Sequence, residues 1–528
     1  MNRKLLVLPA LLGLAAPVLA GCGDSTGGGG GGAIVIGTTD HIEASKDQPS
    51  PLDPATSYDS ASWNFFNNTF QMLLGYPRSS TTPQPDAAQS CGFSDTKSET
   101  YRCTLRDGLK FSNGHALTAE DVKYSIDRLL KIKSDFGPVS LLSNVDAVEA
   151  PDDKQVVFHL KSPDATFPFK LATPAAAIVD SEVYESSQGH PGLEIVGSGP
   201  YKVDSWDKDK AVFSANPNYK GLMKRNNEKV EVRFFQDSGV MKKALADGDV
   251  DVVTRTFSPE QINEIDQGKV PNVKSTEAAG GGVRYLFFNI NDSSVKSGAV
   301  REAIARVVDR DALTRDVLGR TASPLFGAVP TGITGHSNAF FNKYGEPDRE
   351  KAAQVLADAG ISTPVKLTFA YPTNRPATPN KAEAEDLSKQ LNNTGLFDVT
   401  LKSMKWDAFI QGAVKGKWAA YSLSWLPDFP DADNYIAPFF AEGFVNLNYP
   451  GGPIKSSLLP ATRQLADRGK TDKDFGRMQE ILADDIPMIP LYQDKQYVAS
   501  RDDVTGAEWC LNSSSTTQFW ELGKGVAG

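Results

Sequence analysis

Apolar residues recur at helical spacing in three segments of the chain. In LTAEDVKYSIDRLL (117–130), a capping Thr118 and first-turn acids precede an apolar face that repeats every three or four residues. GAVREAIARVVDRDAL (298–313) places four apolar residues on a similar face. DREKAAQVLADAG (348–360) begins after a capping aspartate and stops at Gly360, which suits the position after a helix C-terminus. The pattern predicts one helix in each segment.

Other segments are short, unbroken apolar runs. AIVIGTT (33–39) and VVFHL (156–160) are rich in β-branched residues and are bounded by polar turns. Such runs are typical of buried strands. Because strand and helix signals alternate from residue 33 onwards, the sequence predicts an α/β fold.

The first residues follow a different pattern. Arg3 and Lys4 precede an apolar run of 16 residues at 5–20, which is short for a membrane span and typical of a secretory signal. The run ends in Leu-Ala-Gly-Cys, which resembles the bacterial lipobox and implies a signal peptide at 1–21 and a lipidated Cys22. Residues 22–32, which end in six glycines, would form a flexible tether. An uncleaved anchor helix is the alternative.

Length and charge narrow the class of protein. A chain of 528 residues exceeds what one hydrophobic core usually serves, so two or three domains are expected. Removing Arg3 and Lys4 with the leader lowers the net charge from −10 to −12, which argues against a nucleic-acid partner. No long linker divides the remainder, so the domains are expected to interleave.

Three cysteines remain beside Cys22. Cys91 and Cys103 are separated by eleven residues and, in an exported protein, predict a local disulfide. Cys510 is then expected to be a buried free thiol, because nothing near it in the sequence would activate a nucleophile.

The stretch WLPDFPDADN (425–434) combines three carboxylates with a tryptophan, a phenylalanine and two prolines. The prolines exclude a regular helix and a central strand, so a stiff loop is predicted. Four interpretations are open: a metal site, a catalytic carboxylate pair, the wall of a pocket for a cationic group, or a solvated turn.

Each candidate motif for catalysis or metal binding lacks a residue that it requires. Gly197-Ser198-Gly199 has Val196 where a nucleophile elbow needs glycine, and no Cys-x-x-Cys occurs. As a calcium loop starting at Asp431, the stretch has Ile436 where the sharp turn needs glycine. The five histidines are scattered. The sequence therefore predicts no metal and no cofactor, although a catalytic acid pair stays open.

Several segments together resemble the extracytoplasmic solute-binding proteins of peptide-type ABC importers, the dipeptide- and oligopeptide-binding class. The similar blocks occur in the family's order at 109–130, 196–206, 244–253, 286–313 and 486–497. The resemblance implies a two-lobed periplasmic-binding-protein fold of the α/β class, with mixed sheets, crossing strands and a small extra domain. It assigns lobe I to 33–76, 194–288 and 488–528, the extra domain to 77–193 and lobe II to 289–487.

The resemblance also implies residues that contact the ligand. NRPATPN (374–380) is similar to a family segment whose arginine grips a peptide carboxylate, which would be Arg375 here. The loop 425–434 is similar to a segment whose first aspartate holds the peptide α-ammonium, which would be Asp428. Ala377, Thr378 and Pro427 depart from the family pattern.

Three further residues are candidates for the same cleft. Trp425 would supply an apolar wall, Tyr58 could line the cleft from lobe I, and Asn289 follows a strand that crosses between lobes, as a ligand contact or a hinge residue. Asp431 and Asp433 are expected to be structural acids of a turn and a helix start.

The function implied is that of a membrane-tethered receptor, not an enzyme, which captures a short peptide and docks on an ABC permease. The lipid anchor would hold it outside the cytoplasm, at the cell surface or in the periplasm. Alternatives are the same fold with an oligosaccharide or nickel chelate as ligand, a secreted hydrolase, and a structural lipoprotein.

Overall fold

The computed structural model describes residues 32–46, 48–78, 80–255, 257–278, 280–373 and 379–525, and these residues fold into two large mixed sheets with helices packed on them. The predicted signal peptide and Cys22 lie outside the described residues, as does Arg375. In the described part of the chain, no helix is long and apolar enough to cross a membrane.

The first large sheet is built around the strand predicted at the start of the α/β region. Ile34–Thr38 pairs in parallel with a neighbour on each side, and the other pairings are antiparallel. A central strand in parallel pairing is covered on both faces, which is why its sequence is an unbroken apolar run. In spatial order the strands are Val273–Ala278, Gln496–Arg501, Val252–Thr254, Ile34–Thr38, Lys229–Phe234, Lys210–Ala215 and Tyr201–Trp206.

The second large sheet is built around Val283–Phe288, in which all six residues are buried. In spatial order its strands are Ala322–Pro324, Met488–Asp494, Val283–Phe288, Ala420–Trp425, Val365–Pro372 and Phe397–Met404. Helices pack against it through one apolar cluster, whose buried members all lie between Val283 and Tyr492.

A smaller antiparallel sheet contains the predicted strand 156–160. Its strands, in spatial order, are Ala88–Phe93, Thr100–Leu105, Gln155–Leu160 and Val145–Glu149. Cys91 and Cys103 lie opposite each other on the first two strands and form the predicted disulfide. The buried side chains of this sheet and of the first large sheet belong to one continuous apolar cluster. Two further strand pairs are Leu74–Gly75 with Gln84–Pro85, and Val504–Thr505 with Gly523–Lys524.

Two of the three predicted helices form as single elements. Ala119–Ile132 has the capping box between Thr118 and Asp121, and the Asp348 side chain accepts from the Lys351 N–H at the start of Arg349–Asp358. The α-helices are Ser60–Thr69, Ala119–Ile132, Val139–Leu142, Phe167–Lys170, Ser238–Asp247, Pro259–Asp266, Gly298–Ala305, Arg310–Ala312, Ala339–Tyr344, Arg349–Asp358, Asn380–Asn393, Trp406–Val414, Asp433–Phe440, Leu459–Thr462 and Asp472–Asp485.

The prediction of a single helix over 298–313 is wrong. The first helix ends at Ala305, and a second short helix begins at Arg310. The Asp309 side chain accepts from the Ala312 N–H, so this aspartate caps a new helix instead of continuing the old one. Aspartate competes with the backbone for such bonds, and apolar periodicity does not reveal this.

The chain crosses between the two large sheets at two neighbouring places. One crossing leads from Val273–Ala278 to Val283–Phe288, and the other leads from Met488–Asp494 to Gln496–Arg501. The boundaries predicted between lobes I and II, at 288 and 488, lie a few residues away from these crossings. The reason is that Val283–Phe288 and Met488–Asp494 both belong to the second sheet. The position of such a boundary depends on which neighbour a strand pairs with, and this cannot be read from the strand itself. The division into a lobe I and an extra domain stays a prediction.

Candidate functional site

The loop predicted at 425–434 connects a strand of the second sheet to a helix. The strand Ala420–Trp425 ends at the first residue of the loop, and the helix Asp433–Phe440 begins at its last two residues. The Arg468 guanidinium donates two hydrogen bonds, of 2.7 and 2.8 Å, to the carboxylate of Asp431. Arg463 donates two, of 2.8 and 2.9 Å, to the carboxylate of Asp433. These two acids are therefore neutralised within the fold, in agreement with a structural role.

The third acid of the loop, Asp428, has no ion-pair partner among the described residues. Its carboxylate accepts from Tyr58 Oη at 2.7 Å and from Asn434 Nδ2 at 3.0 Å, while its own N–H donates to Asn434 Oδ1 at 2.8 Å. Burial raises the pKa of this carboxyl group, although both hydrogen bonds and the charge of Lys170 act in the opposite direction. A carboxylate with two bonds still has lone pairs for another donor. The site therefore favours a cation.

The bond between Tyr58 and Asp428 joins segments that lie 370 positions apart in the chain. Tyr58 directly precedes the N-cap of the helix Ser60–Thr69, whose side chains pack in the cluster of the first sheet, and Asp428 follows a strand of the second sheet. The hydroxyl of Tyr58 thus closes a contact between the two lobes, and burial beside Asp428 raises its pKa well above the ordinary range.

The same place receives a third segment that sequence reasoning missed. Lys170 Nζ lies 2.7 Å from the Asp164 carboxylate, and its charge acts on Asp428. The ring of Phe169 lies 6.0 Å from that of Phe429 in the loop. The sequence gives no local signal for the contacts of this segment with Asp428 and Phe429, because each joins residues more than 250 positions apart.

A cavity of about 270 Å³ lies between the two large sheets. This is slightly below the usual range of pockets for small molecules, about 300–1,000 Å³. From the second sheet, Ser424 and Leu426 line it just before the loop, together with Tyr492 and Asp494. The first sheet contributes Arg255 and several apolar residues. The cavity and the loop are therefore neighbouring parts of one interlobe cleft.

The wall on the side of the second sheet is held by a buried arginine. Arg284 donates to Glu383 at 2.9 Å and to the hydroxyls of Ser424 and Ser422 at 2.9 and 2.8 Å. Tyr492 Oη donates to the other oxygen of Glu383 at 2.6 Å. Since Ser424 and Tyr492 also line the cavity, this network fixes the wall that a ligand would meet.

Asn289 is not part of this cleft, and its prediction as a ligand contact is corrected here. Its amide donates to the Gly416 carbonyl at 2.7 Å and its oxygen accepts from Asn448 at 2.7 Å, both within the second lobe. Asn289 follows Val283–Phe288 at the end opposite the crossing, roughly 20 Å away at about 3.3 Å per residue. Both polar ends of its side chain have partners, so it stabilises the lobe.

Two other predicted residues have structural contacts. Trp425 packs on Phe439 and Phe444, and its Nε1 donates to Asn434 Oδ1 at 3.3 Å, so it helps to orient the asparagine that holds Asp428. Cys510 is a buried free thiol, as expected, and burial raises its pKa. Among the described residues, no group of three or more potential ligands could hold a metal ion.

Comparison with known proteins gives a consistent result. The model of the bacterial extracellular solute-binding proteins, family 5, matches residues 82–446. The probable D,D-dipeptide-binding periplasmic protein DdpA of Escherichia coli K12 is 28% identical over 473 residues, 87% of this chain and 89% of the relative.

Two solved structures share the fold. The periplasmic binding protein DppA from Helicobacter pylori, in complex with the peptide STSA, has a TM-score of 0.76 at 24% identity and covers 94% of this chain and 98% of its own. AgaA from A. tumefaciens R10, in complex with agropinic acid, has a TM-score of 0.76 at 23% identity, over 94% and 99%. The chain thus has the two-lobed fold of periplasmic binding proteins.

Proposed function

Because this chain belongs to the bacterial extracellular solute-binding proteins of family 5, we propose that it captures a short peptide between its two lobes and delivers it to an ABC permease. The observation that carries the proposal is the Asp428 carboxylate. It is buried in the interlobe cleft, is held by Asn434 and Tyr58, and has no cation bound to it within the described part of the chain.

A peptide α-ammonium supplies what this carboxylate lacks. A buried charge without a partner is costly, and a charge-assisted hydrogen bond from an ammonium group removes that cost. Because the neighbouring acids Asp431 and Asp433 already have arginine partners, Asp428 is the acid of the loop that can accept the ligand. Its preformed contacts reduce the ordering cost of binding.

The opposite end of the peptide is assigned to Arg375. A planar guanidinium forms two parallel hydrogen bonds to a carboxylate. Pro379 lines the cavity four positions after Arg375, a stretch that spans at most about 14 Å. This short separation supports a role for Arg375 at the cleft.

No reaction is assigned to the chain. The relatives named above are binding proteins, and in the proposed cycle the lobes close on the ligand, after which the closed form docks on the permease. A lipid on Cys22 would keep the protein at the outer side of the membrane, with residues 23–32 as a tether.

The proposal is tested by calorimetry with Ala-Ala and other short peptides. Asp428→Asn preserves the shape of the side chain and removes its charge. It is expected to weaken binding by at least about tenfold, since loss of one partner of a buried charge pair costs about 2–5 kcal/mol. Asp146→Asn, on an exposed strand position, is the control and leaves binding unchanged.

Two outcomes would contradict the proposal. Equal affinity of the wild type and Asp428→Asn would remove Asp428 from the site. Absence of peptide binding by the wild type would reject the peptide as ligand, and mass spectrometry of compounds that co-purify with the protein would then identify the solute. Recovery of cleaved peptide would indicate a hydrolase.

A further inference from the structure

Asp494 occupies a fixed position at the base of the cleft. It ends the strand Met488–Asp494, where the chain crosses to the first sheet. Its N–H donates to the Gly282 carbonyl at 2.9 Å, and the N–H of Lys495 donates to the Thr321 carbonyl at 3.0 Å. The backbone is thus held on both sides of the residue, and the side chain lines the interlobe cavity.

Among the described residues, three charged side chains line this cavity, and two of them have ion-pair partners. Arg255 lies 3.0 Å from a carboxylate oxygen of Asp40, and Lys495 Nζ lies 3.1 Å from Glu277. No ion pair or side-chain hydrogen bond reaches the carboxylate of Asp494 from any described residue. Of these three, Asp494 is therefore the charged group without a partner in the described part of the chain.

The cation whose charge acts on this carboxylate, Arg284, is already bonded elsewhere. The charge of Arg284 lowers the pKa of Asp494, but burial and the charge of Glu383 outweigh it and raise that pKa to about 6. Each nitrogen of the Arg284 guanidinium donates to another residue, namely Glu383, Ser424, Asn380 and Ser422. Arg284 therefore does not satisfy the hydrogen-bonding capacity of Asp494.

The surroundings of Asp494 suit a long side chain with a charged end. Apolar side chains also line the cavity, namely Phe257, Ile262, Leu318, Leu426 and Leu511. Lysine and arginine side chains pack their apolar stems along such surfaces and place the charged end at a polar group. The formal net charge of −10 would also attract a cationic ligand before it binds.

We propose that Asp494 determines specificity by binding the guanidinium or ammonium group of a basic side chain in the captured peptide. The inference rests on the proposed function, and it adds a second ionic contact to the one at Asp428. The two contacts lie at different positions in the cleft. Asp494 lines the cavity, and Asp428 lies in the loop two residues after the lining residue Leu426.

The experiment uses peptides that differ only in charge. Calorimetry compares Ala-Arg and Arg-Ala with the same peptides in which arginine is replaced by citrulline, which has nearly the same shape and no charge. The wild type is expected to bind at least one arginine peptide about tenfold or more tighter than its citrulline counterpart. In Asp494→Asn this ratio is expected to fall close to one, while the affinity for Ala-Ala changes less than about twofold.

A control variant removes a negative charge that does not line the cavity. Asp146→Asn neutralises an exposed residue of the small sheet, leaves the ion pair of Lys495 intact, and is expected to keep the preference for arginine. Circular dichroism and the melting temperature confirm that each variant is folded, and Asp494→Ser serves as a second variant if Asp494→Asn is not.

The outcomes separate this inference from the proposed function. An unchanged arginine preference in Asp494→Asn overturns the inference, and so does an equal loss of affinity for all peptides, which would indicate a role in closure. Binding of Ala-Ala that depends on Asp428, without any preference of the wild type for arginine, overturns the inference alone. Failure of the wild type to bind any peptide overturns both.

Discussion

Four aspartates near the cleft show how the surroundings of a side chain decide its role. Asp431 and Asp433 each receive two hydrogen bonds from an arginine and stabilise the loop. Asp428 and Asp494 have no such partner in the described part of the chain, and burial raises the pKa of both. A carboxylate that is enclosed without a cation is costly for the empty protein and available to a cationic ligand. The same residue type therefore supports the loop in one pair and, in the proposed function, binds the ligand in the other.

The pKa of Asp494 predicts a pH dependence of stability. A carboxyl group whose pKa rises from 3.8 to about 6 on folding binds a proton more tightly in the folded state. Its contribution to the free energy of unfolding is therefore fully present below about pH 4 and is lost as the pH rises through 6. Arg284 and Glu383 are the charged groups that act on it: the first lowers the pKa of Asp494 and the second raises it.

The measurement is a difference between two proteins. Urea unfolding of the ligand-free wild type and of Asp494→Asn is followed from pH 4 to pH 7.5. The wild type is expected to lose stability relative to the variant as the pH rises from 4 to 6.5, because asparagine does not titrate. A difference that stays constant over this range would show that Asp494 keeps an ordinary pKa.

At the scale of elements, local signals predicted local structure. The helices Ala119–Ile132 and Arg349–Asp358 form because a capping side chain and an apolar face agree at the same place. Prolines at 427 and 430 stop the strand Ala420–Trp425 and precede the helix Asp433–Phe440. Where a cap lies inside an apolar repeat, as at Asp309, periodicity alone gave the wrong answer.

The candidate site could be predicted only in part, because local signals do not report contacts between distant parts of the chain. The composition of the loop 425–434 left four interpretations open, and Asp428 was predicted from the resemblance of this loop to a family segment. The contact of Asp428 with Tyr58 and the position of Asp494 at the crossing depend on residues far away in the chain. No pattern in a short window contains such information. That Asp494 has no partner among the described residues depends on which partners Arg284 has, and that is a property of the packed lobe.

The crossing between the sheets makes a prediction about Gly280. A Cβ added to this residue would lie 2.0 Å from the carbonyl oxygen of Asp494, so the two crossing segments would have to separate. Gly280→Ala is therefore expected to lower the melting temperature by several degrees and to weaken peptide binding by about tenfold or more, since even small displacements at a fixed site reduce affinity.

Gly476→Ala is the matched control for this change. Nothing lies within 4 Å of the position of its added Cβ, and the residue belongs to the helix Asp472–Asp485. Alanine at such a site is expected to stabilise the helix slightly, by about 0.5–1 kcal/mol. If Gly280→Ala behaves like Gly476→Ala in thermal melting and calorimetry, the close packing of the crossing has no role in stability or binding.

At the scale of the whole molecule, the apolar clusters indicate which parts move together. The small sheet and the first large sheet share one continuous cluster, whereas the second large sheet has its own. A shared core resists relative motion, and two crossing segments permit it. Closure is therefore expected to be a motion of the second lobe against a body formed by the other two sheets.

Distances between spin labels test this division and the role of Tyr58. In a form without Cys22, labels at the exposed positions Lys208 and Asp398 span the two lobes, and labels at Asp146 and Lys208 span the two sheets with a shared core. Peptide is expected to shorten and narrow the first distance and to leave the second unchanged.

Tyr58→Phe removes the hydrogen bond to Asp428, which is worth about 1.5–3 kcal/mol for a charged acceptor, so the ligand-free protein should be more open. A change in the second distance on binding would show that the small sheet moves as a separate domain, and an unaltered first distance in Tyr58→Phe would show that other contacts hold the lobes together.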